Sequence, residues 1–177
     1  MAFIPRMSSA GMEGSPWWYS SGNVFYQSGY GLPNCTCYAY GRYAEVRQAF
    51  ANLPTGNGGD WYNAATAFQR GPTPALGAVI CYTSPSGKWD GHVAVVEQIN
   101  SDGSIVTSNS AYGGAYFWTD TVRPEDGYLE AWMQPPNRDY IYQGFIYNDT
   151  EPVPDDWGPW TLVNHLKLQR KRRCGLL

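Results

Sequence analysis

Pro33-Asn34-Cys35-Thr36-Cys37-Tyr38-Ala39-Tyr40-Gly41-Arg42 sets a thiol directly after a residue suited to start a helix and at the head of a helical pattern. Asn carries a short side chain that accepts backbone N–H groups at a helix N-terminus. Ala39, Tyr43, Val46 and Phe50 recur at near-helical spacing. An amphipathic helix is therefore expected from Thr36 to Phe50, with Asn34 as its cap and Cys35 in its first turn. A helix N-terminus favours negative charge, so a thiol placed there ionises more readily than a free one. Gly41 inside the helix costs about 1 kcal/mol relative to Ala, a cost that makes sense where another segment packs closely.

Outward from this helix, the chain divides by composition. Residues 1 to about 20, rich in Gly, Ser and Met, read as an N-terminal arm laid over the body, and Trp17-Trp18 as its packing anchor rather than a ligand platform. After the Gly- and Asn-rich loop from Pro54 to Asp60, a second short helix is expected from Trp61 to Gln69. Strands are expected at Ala78 to Tyr82, Val93 to Ile99, Ser104 to Ser110, Ala115 to Trp118 and Tyr140 to Tyr147, separated by turn residues. A helical front half followed by strands without intervening helices predicts an α+β fold, N-terminal helices packed on a largely antiparallel β-sheet.

The chemistry-bearing residues follow Cys35 in a set order: Gly91-His92-Val93-Ala94-Val95-Val96-Glu97, then Thr107-Ser108-Asn109-Ser110. Asn100-Ser101-Asp102-Gly103 is a good four-residue turn between their strands, which would pair Ile99 with Ser104, Ala94 with Asn109 and His92 with Ala111. Strand side chains alternate faces, so His92, Ala94 and Asn109 share one face. Asn109 is then a diagonal neighbour of His92, within roughly 7–8 Å between backbones, near enough for an amide to orient an imidazole. Glu97 is charged and lies in the same strand, but stands an odd number of residues from His92 and should face the other way unless a bulge intervenes. Thiol, imidazole and amide in this order suggest a papain-like nucleophilic hydrolase.

Other readings are narrower. A lone strand histidine is commonly structural, and a lone buried cysteine behaves as a small hydrophobe. Cys35, Cys37, Cys81 and His92 would supply four zinc ligands in number, but no Cys-x-x-Cys occurs and a Cys-x-Cys on a helix directs its sulfurs apart. The same spacing argues against a Cys35–Cys37 disulfide, so free thiols are expected. No Gly-x-Ser-x-Gly elbow and no phosphate-binding glycine loop is present. The chain has 177 residues, 43% of them hydrophobic, enough for one real core but not for two full domains and a linker. No apolar run approaches the roughly 20 residues of a membrane span, and the first residues lack the pattern of a secretory signal. A soluble protein made in the cytosol is expected. Lys167, Arg170, Lys171, Arg172 and Arg173 form a basic end on a chain whose net charge is −3. Such an end suits either an anionic surface such as wall polymer, nucleic acid or membrane, or a solvated tail.

Asn34-Cys35-Thr36-Cys37-Tyr38-Ala39-Tyr40-Gly41-Arg42, Pro74-Ala75-Leu76-Gly77-Ala78-Val79-Ile80-Cys81, Gly91-His92-Val93-Ala94-Val95-Val96-Glu97 and Ser108-Asn109-Ser110 together resemble the CHAP family of cysteine, histidine-dependent amidohydrolases/peptidases. The resemblance covers about residues 21–148. It implies an arm at 1–20, a catalytic domain of papain-like α+β fold at 21–148, and an acidic linker with a basic tail at 149–177. It further implies cleavage of peptidoglycan as an N-acetylmuramoyl-L-alanine amidase or a stem or cross-bridge endopeptidase. Cys35 is then the nucleophile, His92 the general base and later acid, Asn109 the group that orients His92, and the Cys35 backbone N–H an oxyanion donor. Many relatives have Trp in place of Cys37 and Glu in place of Asn109. Some carry an aspartate-rich calcium loop, whereas Asn23 to Asn34 has no acidic residue, so no metal or other cofactor is expected. The resemblance suggests a bacteriophage endolysin or virion-associated lysin, made in the host cytoplasm and reaching the wall through a holin pore or on a virion. Partners are then peptidoglycan and virion proteins, with no nucleic acid expected. Tyr30, Trp89, Tyr112 and Trp118 are candidate groove aromatics. The alternative is a non-catalytic wall-binding or virion structural protein that retains the fold.

Overall fold

A computed structural model describes residues 3–148. The basic end from Lys167 to Arg173 lies outside the described residues. Helices α1 (Pro16–Tyr19), α2 (Val24–Gln27) and α3 (Cys35–Arg47) come first, then a 3-10 turn (Gly58–Asp60) that runs into α4 (Trp61–Ala64). The strands are β1 (Arg70–Gly71), β2 (Val79–Thr83), β3 (His92–Ile99), β4 (Ile105–Asn109), β5 (Trp118–Val122) and β6 (Ile141–Ile146). They form one antiparallel sheet in the order β1-β6-β2-β3-β4-β5. This is the expected α+β class, N-terminal helices packed on an antiparallel sheet. No helix among the described residues is long and apolar enough to cross a membrane.

Asn34 caps α3 as its chemistry predicts. Its Oδ1 accepts the backbone N–H of Thr36 at 2.9 Å and of Cys37 at 3.5 Å. The helix stops at Arg47, three residues short of Phe50, because Gln48 turns into the left-handed region at φ 57°. The helix is also not amphipathic: every residue from Thr36 to Ala44 is buried. One side packs on Val93 and Val95 of the sheet, and the other is covered by Met12, Trp18 and Phe25. Gly41 shows how tightly that cover sits. A Cβ there would lie 2.4 Å from Trp18 Nε1 and 2.7 Å from the Trp17 carbonyl oxygen. Trp18, wholly buried, donates its indole N–H to the Tyr38 carbonyl at 3.1 Å. The Trp17-Trp18 pair is thus a packing anchor.

An arginine on a helix buried all round needs a partner, since an unpaired buried charge is costly. Arg42 forks onto Glu97, with Nε to Oε1 and Nη2 to Oε2 both at 2.8 Å. Ser108 Oγ–H and the Arg6 backbone N–H complete the Glu97 carboxylate at 2.7 and 2.8 Å, and the Arg6 guanidinium reaches Glu45. This cluster straps the arm to α3 and the sheet. The other face of the sheet carries a second core of Ile80, Ala94, Val96, Ile105, Met133 and Phe145.

The β3–β4 hairpin differs from expectation in two compensating ways. Ile99 pairs with Ile105, one residue beyond the expected Ser104, so the loop holds five residues. A bulge between Val96 and Gln98 then restores the expected register, with Val96 opposite Thr107 and Val95 opposite Ser108. Two other elements move. Residues after Ala64 leave the helix expected to reach Gln69, and Arg70–Gly71 instead pair with β6. The strand expected at Ala115 to Trp118 begins at Trp118, because a turn closed by Gly114 N–H to Ala111 O at 2.9 Å keeps the preceding residues in the connection.

Candidate active site

The restored register brings the three groups together. β3 begins at His92 beside the N-terminus of α3, and Asn109 ends β4 on the same face as His92. His92 Nε2 lies 3.0 Å from Asn109 Oδ1, an atom that only accepts, so Nε2 carries the proton and Nδ1 is the nitrogen left for the thiol. His92 is 3% exposed and Asn109 fully buried. Burial pushes the Cys35 thiol up, but the hydrogen bond and charge of His92, followed by the N–H groups of Val93 and Thr36, outweigh it. The thiol is held below its ordinary value. The Asn34 cap takes the N–H groups of Thr36 and Cys37 and leaves that of Cys35.

The imidazole is boxed by rings. Trp118 stacks on it at 6.0 Å between centroids, Trp132 meets it edge-on at 5.2 Å, and Tyr82 lies at 6.2 Å. Both indoles are fixed by one carboxylate: Glu130 Oε2 accepts Trp118 Nε1–H at 3.0 Å and Trp132 Nε1–H at 2.6 Å. Asn109 Nδ2 donates to Thr107 Oγ1 at 3.1 Å, and Thr107 Oγ1 lies 3.4 Å from Glu130 Oε1.

Cys35 and His92 open into a cleft of about 780 Å³, lined among others by Tyr30, Trp89, Tyr112, Trp132 and Arg138. Tyr30 and Tyr112 lie 6.3 Å apart between ring centroids, 56% and 73% exposed, and Arg138 lies over the Trp89 ring at 3.4 Å. Three of the four candidate groove aromatics therefore line the cleft. Trp118 lies behind the imidazole instead, because β5 starts there, directly opposite Asn109. Next to His92 two stretches of main chain meet closely, and Gly58 and Gly91 from them line the cleft. Gly59 N–H bonds Asp90 O at 2.9 Å, and a Cβ on Gly91, whose φ is +77°, would sit 2.2 Å from Gly59 Cα.

Glu97 faces α3 and Ser108, away from His92, and its carboxylate is taken by Arg42. Cys35, Cys37 and Cys81 are free thiols. Cys37 is buried, which pushes it up to about 12, offset only in part by the Asn23 side chain and the Leu32 backbone. Among the described residues, no three His, Cys, Asp or Glu side chains are gathered as metal ligands. The sequence did not single out Glu130, Thr107 or Trp132. Thr107 stands two residues from Asn109 and so on its face, a signal that was available; Glu130 and Trp132 lie in a connection with no such periodicity.

Residues 25–111 match the family model described as the CHAP domain, a segment that holds Cys35, His92 and Asn109. The chain is 37% identical over 87 residues to "Probable autolysin LDP" of Staphylococcus aureus, covering 48% of this chain and 30% of that protein. It is 35% identical over 97 residues to the Staphylococcal secretory antigen SsaA of the same species, 54% of this chain and 34% of that protein. A solved N-acetylmuramoyl-L-alanine amidase from Staphylococcus aureus aligns with a TM-score of 0.46 and 30% identity, over 54% of this chain and 30% of that one. The chain spans about a third of the length of the curated relatives it matches.

Proposed function

We propose that this chain is a cysteine hydrolase of the CHAP type that cleaves an amide bond of peptidoglycan, with Cys35, His92 and Asn109 as its catalytic groups. The observation that carries the reading is the thiol itself: it opens to a cleft and is held below its ordinary value by an imidazole whose far nitrogen is fixed on Asn109 at 3.0 Å. A thiolate so placed attacks the amide carbonyl carbon, and the electron pair of the C=O moves onto oxygen. The free N–H of Cys35 is the donor available to that oxyanion. The imidazolium then passes its Nδ1 proton to the leaving amine as the C–N bond breaks. The neutral imidazole next takes a proton from water, which attacks the thioester and releases the acid and the thiol. Asn109 keeps the ring turned so that Nδ1 serves both transfers.

The cleft suits a sugar–peptide polymer, since exposed tyrosine rings offer flat apolar faces to sugars or stem residues and Arg138 offers donors to carboxylates. The bacteriophage setting, with delivery through a pore or on a virion, is part of this proposal. Purified Gram-positive walls treated with wild type and Cys35→Ala test it, with mass spectrometry of the released fragments. Solubilisation by wild type alone supports the reading. A new L-alanine amino terminus on free stem peptides identifies an amidase, and new termini within the peptide identify an endopeptidase. A folded wild type inert on several wall chemistries, or an active Cys35→Ala, refutes it.

A further inference from the structure

We propose that Glu130 is a positioning residue for the Cys35–His92 pair, the buried end of a hydrogen-bonded chain that runs from His92 through Asn109 and Thr107 and also pins the two indoles walling the imidazole. The proposal rests on the hydrolase reading above.

The chain has one direction. His92 Nε2–H donates to Asn109 Oδ1 at 3.0 Å, Asn109 Nδ2–H to Thr107 Oγ1 at 3.1 Å, and Thr107 Oγ1–H, shared with the Asp120 carbonyl at 3.5 Å, reaches Glu130 Oε1 at 3.4 Å. Every member accepts from the His92 side and donates toward Glu130, so the dipoles align and polarise one another. Asn109 carries no charge of its own. The charge that favours an imidazolium at the head of the chain comes from Glu130, which is 2% exposed and whose donors are neutral: two indole N–H groups and one hydroxyl. The same carboxylate holds Trp118 against the ring face and Trp132 against its edge, which keeps water from the His92–Asn109 bond.

The arrangement makes the support depend on pH. Burial raises the Glu130 carboxyl to about 7 against the lowering by the two indoles, and Asp120 adds to the rise. The titratable groups packed around it are Asp120 on β5, Tyr82 on β2 and, beyond the indoles, His92 on β3. The Asp120 carboxyl also hydrogen-bonds Glu130, so the two titrate as a pair that shares a proton: once that proton is lost Glu130 is charged and sustains the ion pair, and while Glu130 holds it the support ends.

Iodoacetamide alkylation of Cys35, followed by peptide mass spectrometry, tests this without any wall substrate. Wild type, Glu130→Gln and Thr107→Val are compared at about pH 8 and about pH 5.5, on either side of the Glu130 titration. The expected result is a rate about three- to tenfold below wild type in both variants at the higher pH, with Glu130→Gln within about twofold of wild type at the lower, where the native residue is itself neutral. Thr107→Val leaves the indole contacts of Glu130 in place and tests the chain should Glu130→Gln not fold. Equal slowing of Glu130→Gln at both pH values means a purely structural role and overturns the proposal. So does an unchanged rate at about pH 8 in the variants that fold. A wild-type thiol no more reactive than free cysteine refutes the hydrolase reading itself, and the proposal with it.

Discussion

Cys35 and Cys37 stand two residues apart on one helix and are opposite in chemistry. Cys35, first in α3, opens to the cleft, and His92 holds its thiol below the ordinary value despite burial. Cys37, within the same turn, is wholly enclosed, and burial pushes its thiol up to about 12. Both lie near the same helix terminus, so the helix does not separate them. What separates them is the imidazole and the direction in which each side chain leaves the helix, one toward the head of β3 and the other into the core with Trp18 and Tyr38. The terminus prepares the site, and the partner selects which sulfur is the nucleophile.

The largest effect that would break this contrast is in turnover. Cys35→Ala is expected to lower wall lysis by at least about a thousandfold, whereas Cys37→Ala stays within about threefold and costs about 1 kcal/mol for a small cavity; comparable losses would mean the wrong sulfur has been assigned. Removing the partner should make the two thiols alike. In His92→Ala the alkylation of Cys35 near neutral pH is expected to drop about ten- to a hundredfold while Cys37 stays inert, and a Cys35 that keeps its reactivity would place the cause in the helix terminus after all. Asn109→Ala leaves both thiols and the imidazole but frees the ring to turn, and kcat/KM on wall fragments should fall by up to about a hundredfold.

The smallest effect is thermodynamic. The native Cys37 keeps its proton where the unfolded thiol, near 9, loses it, so its contribution to stability is complete below about 9 and drains away toward about 12, at about 1.4 kcal/mol per pH unit. Cys35 has the reverse sign, because its native value is lowered: its contribution is present above the unfolded value and lost as pH falls through the native one. Urea midpoints between about pH 8 and pH 10 should therefore decline less steeply in Cys37→Ala than in wild type, and parallel curves would count against an enclosed Cys37.

How the sequence foretells this site is instructive in its details. The Asn34–Cys35 helix start was legible because capping is local chemistry and needs no knowledge of the fold. The facing of His92 and Asn109 was legible because strand periodicity is two, and it survives a longer loop only because the bulge at Glu97 restores the register. The burial of α3 on every side from Thr36 to Ala44 was not legible: its cover comes from an arm some 20 residues away whose packing follows from Trp18 fitting over Gly41, a tertiary match with no periodic trace. Glu130 was invisible for the same reason. A single carboxylate in an irregular connection shows its role only once Trp118, Trp132 and Thr107 converge on it.

The contact of Gly91 with Gly59 also bears on how such a cleft can change over generations. Where these two stretches of main chain touch next to His92, even a methyl group on Gly91 would force them apart. New specificities are then written in the side chains that line the cleft, the exposed Tyr30, Tyr112 and Trp89 among them, while that contact is inherited unaltered. A library aimed at retargeting this protein should diversify those three positions and leave both glycines untouched.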